Sequence, residues 1–303
     1  MKLLKRSIVI FLLLLFLTAC KNKDNALDLS MYQYKDTKNL VRFVYDASLI
    51  LKKDGLKKSV KYFEDSKYFS GNEFYLYIYD MDGTNLYHAG MKYLENKNLL
   101  DVTDKNGKKI TKLVLNALAD PNNPHGWVHY SWWESKKFYP VPKSSCHFKV
   151  TTPNGGKLFV GAGLDYPHEE KEFIRIVVDD AAKLIKEKGK KALDEISDPF
   201  SQYNYRDVRV FAFTADDEIL ISPVADNKFS QIKLLESRDE VGHKPFAKAL
   251  KNLKTKDKVW EVFMARNRYQ RELIKKCLYI HKTEMGGRKV FVGAITNLPQ
   301  PPS

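Results

Sequence analysis

Cysteine is scarce in this sequence. Three residues in 303, none in a C-x-x-C pair, exclude a disulfide-built scaffold, a zinc ribbon and a dithiol redox motif. Also missing are the G-x-S-x-G elbow, the P-loop and the G-x-G-x-x-G fingerprint, so no hydrolase or nucleotide signature is legible. Acidic residues are in deficit: 51 Lys and Arg against 37 Asp and Glu leave a formal charge of +14. Such an excess decorates solvated faces and suits a neighbouring anionic membrane or polymer. A content of 44% hydrophobic and 13% aromatic residues excludes a disordered chain. Long apolar runs number one, from Ile8 to Leu17, which excludes a multi-span membrane protein.

That run follows Lys2, Lys5 and Arg6 and is too short to span a bilayer comfortably, the layout of a secretory signal over residues 1–19. It ends in Leu17-Thr18-Ala19-Cys20, which resembles the bacterial lipobox. The resemblance implies cleavage before Cys20 and acylation of that residue, palmitate included, and several acyl chains give the two anchors that stable membrane attachment needs. Lys21 in place of aspartate implies outer-membrane sorting, facing the periplasm, in a Gram-negative host. Residues 20–35 are polar and aperiodic and read as a tether. The expected location is the cell envelope, outside the cytoplasm, where nucleic acid is no partner.

The remainder repeats itself. ASLILKKDGLKKSVKYFED (47–65) matches AAKLIKEKGKKALDEISD (181–198), FYLYIYDMDGTNLYH (74–88) matches VRVFAFTADDEILIS (208–222), and CHFKVTTPNGGKLFVGA (146–162) matches CLYIHKTEMGGRKVFVGA (277–294). Order is kept, so two units of one type are expected, over 36–166 and 167–298. In the first, Leu40, Phe43, Val44, Ala47, Ile50 and Leu51 recur at helical spacing after a cap at Asp36 or Thr37, and Gly55 interrupts. A hairpin turning at Asp80-Met81-Asp82-Gly83 follows, then a short helix over 109–119 and strands over 127–133, 145–150 and 158–163. Long helix plus a mainly antiparallel five-stranded sheet is an α+β unit.

These segments, with YDMDG, NLLDVTDKNGKK, GWVHYSWW and FVGAGL, are similar to the Cache superfamily, the extracytoplasmic sensor domains of bacterial receptors. The resemblance runs from about Val41 to Ala294 in tandem, double-Cache form. It implies a PAS-like fold, no enzymatic activity, no cofactor, and a small ligand such as a carboxylate or amino acid held in the membrane-distal first unit. A membrane receptor, kinase or transporter would then be the partner.

Chemistry has rivals to that reading. Asp80-Met81-Asp82-Gly83-Thr84 satisfies the D-x-D-G-T pattern of Mg²⁺-dependent phosphatases, but the second unit has Thr214 in place of the first aspartate, and a hairpin turn explains the residues equally well. A structural envelope lipoprotein without a small ligand is the other alternative. His125 and His129 lie on loop and strand, too far apart for one metal ion, and no metal site is expected. Cys146 and His147 point to opposite faces of one strand and form no dyad.

A pocket remains. Tyr75, Tyr77 and Tyr79 alternate with Phe74, Leu76 and Ile78, so one face is aliphatic and suits the helix while the other carries hydroxyl-tipped rings. On the strand 127–133, Trp127, His129, Ser131 and Trp133 share one face and Val128, Tyr130 and Trp132 the other; the period leaves open which faces a ligand. Ser145, His147 and Lys149 share a face, with Gly161 and Gly163 leaving room. The candidate ligand-binding set is Tyr75, Tyr77, His88, Trp127, His129, Trp133, His147 and Lys149, whose cations favour a small organic acid. In the second unit Arg209, Phe211 and Phe213 replace the tyrosines, Ser222 replaces His88 and Lys258 replaces Trp127, so the first unit is expected to bind and the second to support.

Overall fold

The computed structural model describes residues 27–120, 123, 125–133, 139–206, 208–223, 233–266 and 272–298. The signal segment 1–19, Cys20 and the first part of the tether lie outside the described residues.

The first unit opens on helix α1 (Lys35–Asp65), which buries Leu40, Val41, Phe43, Val44, Ala47 and Leu51 along one stripe. It starts at Lys35 with no side-chain cap, so the expected cap is corrected: Asp36 instead accepts from the Thr37 N–H inside the first turn. Gly55 sits at φ 74°, a left-handed conformation that kinks the helix where a residue with Cβ would be strained. Helix α2 (Lys67–Ser70) turns the chain back, and strands β1 (Tyr77–Asp80) and β2 (Asn85–His88) form the hairpin. A 3₁₀ turn (Lys92–Leu94) and helix α3 (Ile110–Ala117) precede β3 (Gly126–Trp133), β4 (Pro140–Thr151) and β5 (Lys157–Asp165). The sheet order is β2-β1-β5-β4-β3, with antiparallel ladders throughout.

The second unit repeats the plan with α4 (Lys171–Lys188) and α5 (Lys191–Ser197), parted at Gly189, where the first unit has its Gly55 kink. After a short ribbon of β6 (Asn204–Tyr205) and β7 (Val208–Arg209) come β8 (Phe211–Thr214), β9 (Ile219–Ile221), α6 (Pro245–Asn252), β10 (Lys258–Arg266), β11 (Leu273–Met285) and β12 (Arg288–Asn297). Read from β9, the order β9-β8-β12-β11-β10 is that of the first sheet. One sequence equivalence moves. Cys146 stands opposite Ala162, but Ala294, the counterpart of Ala162, stands opposite Tyr279, two residues beyond Cys277. Cys146 and Cys277 are both buried all the same.

Each long helix packs on one face of its own sheet, and the two helix-side cores merge into one through Tyr32, Trp127 and Phe173. A strap of residues 27–34 leads into this junction. Its Gln33 and Tyr34 N–H groups donate to the two Glu170 oxygens at 2.7 and 2.9 Å, while Glu170, fully buried, is the N-cap residue of α4. Burial pushes the Glu170 carboxyl up, against these bonds, which pull it down. Glu170→Ala leaves two backbone donors unpaired and is expected to cost about 2 kcal/mol or more of stability. Urea denaturation, with faster proteolysis of the strap, checks it.

Candidate functional site

The face of the first sheet turned away from α1 carries Tyr77 and Tyr79 from β1, Tyr130 and Trp132 from β3, His147 from β4 and Phe159 from β5. Opposite them the connection from β2 to α3 supplies Leu94, Leu99 and Val102, and α3 itself supplies Ile110, Thr111 and Val114. Between the two lies a cavity of about 520 Å³, counting its open mouth, with Tyr75 and His88 on its wall. This mixture of aliphatic wall with a few polar tips suits a small molecule.

Two glycines of β5 make the room. A Cβ on Gly161 would lie 2.4 Å from the His147 ring and 2.6 Å from the Tyr77 ring, and one on Gly163 would press at 3.1 Å on the stem of Lys143. Lys143 is buried, paired with Asp165 across the ladder at 2.6 Å, and donates to the Tyr75 hydroxyl at 2.8 Å. Because its oxygen accepts from that ammonium, the Tyr75 O–H proton is free to point elsewhere.

The histidine tautomers follow from their partners. His147 Nδ1 lies 3.2 Å from the Gly126 carbonyl and donates to it, so Nε2 accepts from the Tyr77 hydroxyl at 2.9 Å. His88 Nδ1 accepts from the Met91 N–H at 2.9 Å, which leaves the proton on Nε2. Both rings are neutral near pH 7. Burial pushes His147 down to about 3, and pushes His88 down to about 4, with the Lys143 charge helping and the Glu95 carboxylate opposing. Burial also raises the Tyr75 and Tyr77 hydroxyls, which stay protonated. The result is an uncharged aromatic cavity with fixed donors and one cation set behind it.

Of the eight candidate residues, Tyr75, Tyr77, His88 and His147 come together around this cavity and four do not. Trp127 is on the helix side, 4.5 Å from the Phe173 ring, and donates to the Tyr32 hydroxyl at 2.8 Å. His129 shares that face, against Phe173 at 4.8 Å and the Ser144 hydroxyl at 2.7 Å. Trp133 is exposed at the end of β3, and Lys149 is exposed near the far end of β4. The alternate face of β3, with Tyr130 and Trp132, is the one that lines the cavity. Lys143 was not singled out in the sequence, although it lies on the same strand face as Ser145 and His147; the signal was there in the alternation.

The second unit closes the same space. Phe211 and Phe213 take the places of Tyr77 and Tyr79, Ile280 stands opposite Gly293 where His147 stands opposite Gly161, and Ile295 replaces Gly163. Phe246 of α6 packs onto Phe211 and Phe213 at 5.9 and 6.0 Å, and Leu278 and Ile280 complete the cluster.

Asp80, the first aspartate of the D-x-D-G-T pattern, spends its Oδ1 on the Asp82 and Thr84 N–H groups at 3.0 and 2.8 Å, the work of a hairpin turn. Among the described residues no group of three or more His, Cys, Asp or Glu side chains is placed to hold a metal ion. No described helix is long and apolar enough to cross a membrane.

Two sheets of one PAS-like topology, each under a long helix, with a cavity on the first sheet, define a tandem α+β module. The chain belongs to the Cache domain family, whose model matches residues 22–285. Cache domains are extracytoplasmic ligand-binding sensor domains rather than enzymes. No curated protein matches the chain. Among solved structures it is similar to a Cache chemosensory domain described for carboxylic acid recognition, at 18% identity over 44% of this chain and 94% of that one, TM-score 0.36. It is also similar to a methyl-accepting chemotaxis protein of Vibrio parahaemolyticus, at 19% over 43% and 88%, TM-score 0.32. A third is the ligand-binding domain of the Pseudomonas fluorescens chemoreceptor CtaA, solved with L-isoleucine, at 10% over 86% and 84%, TM-score 0.31.

Proposed function

We propose that this chain is a lipid-anchored, extracytoplasmic sensory protein that captures a small organic anion in its first unit, over residues 36–166. The second unit, 167–298, supports the first and presents its state to a membrane receptor, kinase or transporter. One contrast carries the reading: the same fold is built twice, and the cavity lined by Tyr75, Tyr77, His88 and His147 is open in one copy and filled by phenylalanine and isoleucine in the other. A purely structural role gives no reason for the difference. The lipobox at Cys20 supports attachment to the envelope, and the excess of Lys and Arg suits a surface close to anionic lipid.

A thermal-shift screen of carboxylates, amino acids and amines against the full chain tests this. At least one compound is expected to stabilise the fold, by about 2.7 kcal/mol at a hundred times its Kd. If none does, and the protein instead binds anionic envelope polymers in a salt-sensitive way, the structural role replaces the sensory one.

A further inference from the structure

We infer that the first-unit cavity selects an apolar monocarboxylate and turns away the corresponding amino acid and amine; the inference rests on the ligand-binding reading above. An aromatic cage of Tyr75, Tyr77, Tyr79, Tyr130, Trp132 and Phe159 would by itself suit an ammonium group. Three features of this chain decide otherwise.

First, a cation is already there. The Lys143 ammonium lies 4.6 Å from the Tyr75 ring centroid and 2.8 Å from its hydroxyl. Its partner Asp165 does not cancel the field evenly, because the Lys143 side chain is 2% exposed and that of Asp165 is 30% exposed. Water screens the negative end and leaves the positive end against Tyr75, behind the cavity wall.

Second, the cavity wall carries no carboxylate. Of the nearby acids, Asp165 is held by Lys143, and Glu95 accepts from the His88 backbone N–H at 2.9 Å and pairs with Lys92. An α-ammonium group entering here would lose its water and find no counter-charge.

Third, two polar tips of the wall are set as donors. Tyr75 O–H, freed because its oxygen accepts from Lys143, and His88 Nε2–H both belong to the cavity wall and are the kind of group a carboxylate takes. Apart from the Thr111 hydroxyl, the side formed by Leu94, Leu99, Val102, Ile110 and Val114 is aliphatic, so the other end of the ligand is apolar, and a second carboxylate meets no cation there.

Calorimetric titration of the full chain at pH 7 tests this with butyrate and valerate, their 2-amino derivatives, butylamine, butyramide and glutarate. The two monocarboxylates are expected to bind at least about a hundredfold more tightly than the 2-amino acids and butylamine, the cost of an unpaired buried charge. Tyr75→Phe, which keeps the ring and the Lys143–Asp165 pair, is expected to weaken valerate about tenfold or more with the circular dichroism spectrum unchanged. Lys143→Met is expected to weaken valerate further and to narrow its advantage over butyramide. An amino acid or butylamine binding as tightly as its acid overturns the inference and leaves the ligand-binding reading standing. Equal affinity for valerate and butyramide, or for glutarate and valerate, overturns it too. If nothing in this set binds, the inference falls, and the sensory reading falls with it only if the wider screen is also blank.

Discussion

Lowering the pH from 7 to 5 is expected to strip on the order of 6 kcal/mol from the stability of the folded chain, comparable to the whole margin of many domains. The cause is four buried histidines. Burial pushes His88 and His125 down to about 4 and His129 and His147 down to about 3, from the ordinary 6.5. In the unfolded chain each takes up a proton near pH 6.5; in the fold it stays neutral until about 4 or below. Between those limits the unfolded state binds more protons, so stability is full above pH 6.5 and is lost as the pH falls. Each histidine contributes about 1.8 kcal/mol of loss between pH 7 and 5. Asp180 works in the other direction. Burial first, then Asp120 and Asp179, raise its carboxyl to about 6, which returns about 1.3 kcal/mol over the same interval. Urea midpoints at pH 7, 6 and 5 measure the slope. A midpoint that stays level across that range contradicts buried neutral rings, and His129→Gln should flatten the slope by about three-tenths if the account holds.

Gly161→Ala is expected to close the cavity and to destabilise the first unit by about 3 kcal/mol. The added methyl would lie 2.4 Å from His147 Cδ2 and 2.6 Å from Tyr77 Cε2, well inside van der Waals contact. Neither ring yields cheaply: Tyr77 donates to His147 and His147 donates to Gly126 O, so moving either one leaves a buried polar atom unpaired. Small-molecule stabilisation should vanish with the variant even where it folds. Retained ligand stabilisation in Gly161→Ala would place the binding site elsewhere in the chain.

Most of the architecture was legible in the sequence because it is written twice. Repeat order, the helical stripe from Leu40 to Leu51, the Gly55 interruption and the β1–β2 turn all depend on local spacing and turn chemistry, and the structure has them. Four of the eight candidate residues around the cavity were legible for the same reason, as alternation within strands. What was not legible is which side of β3 meets the cavity. Alternation supplies two faces of equal aromatic content, and the choice between them is made by Tyr32 and Phe173, which arrive from remote segments to cover Trp127 and His129. Lys143 escaped because Pro140 and Pro142 argue against a strand, yet β4 begins at Pro140 and extends the face of Ser145 and His147 backwards to Lys143. The equivalence of Cys146 with Cys277 misled by two residues, since matching letters do not report how many residues the intervening turn holds.

The strap of residues 27–34 bears on how tension would travel through this molecule. Anything that pulls on the N-terminal end loads the Tyr32 hydroxyl, shared with Trp127 and His125, and the Gln33 and Tyr34 amides gripped by Glu170, before the first turn of α1 feels it. Those anchors belong to different units, Trp127 to the first sheet and Glu170 to the start of α4. The strap is therefore a yoke: a single pull is divided between both halves of the duplication at their seam, and the two cannot be drawn apart by it one at a time.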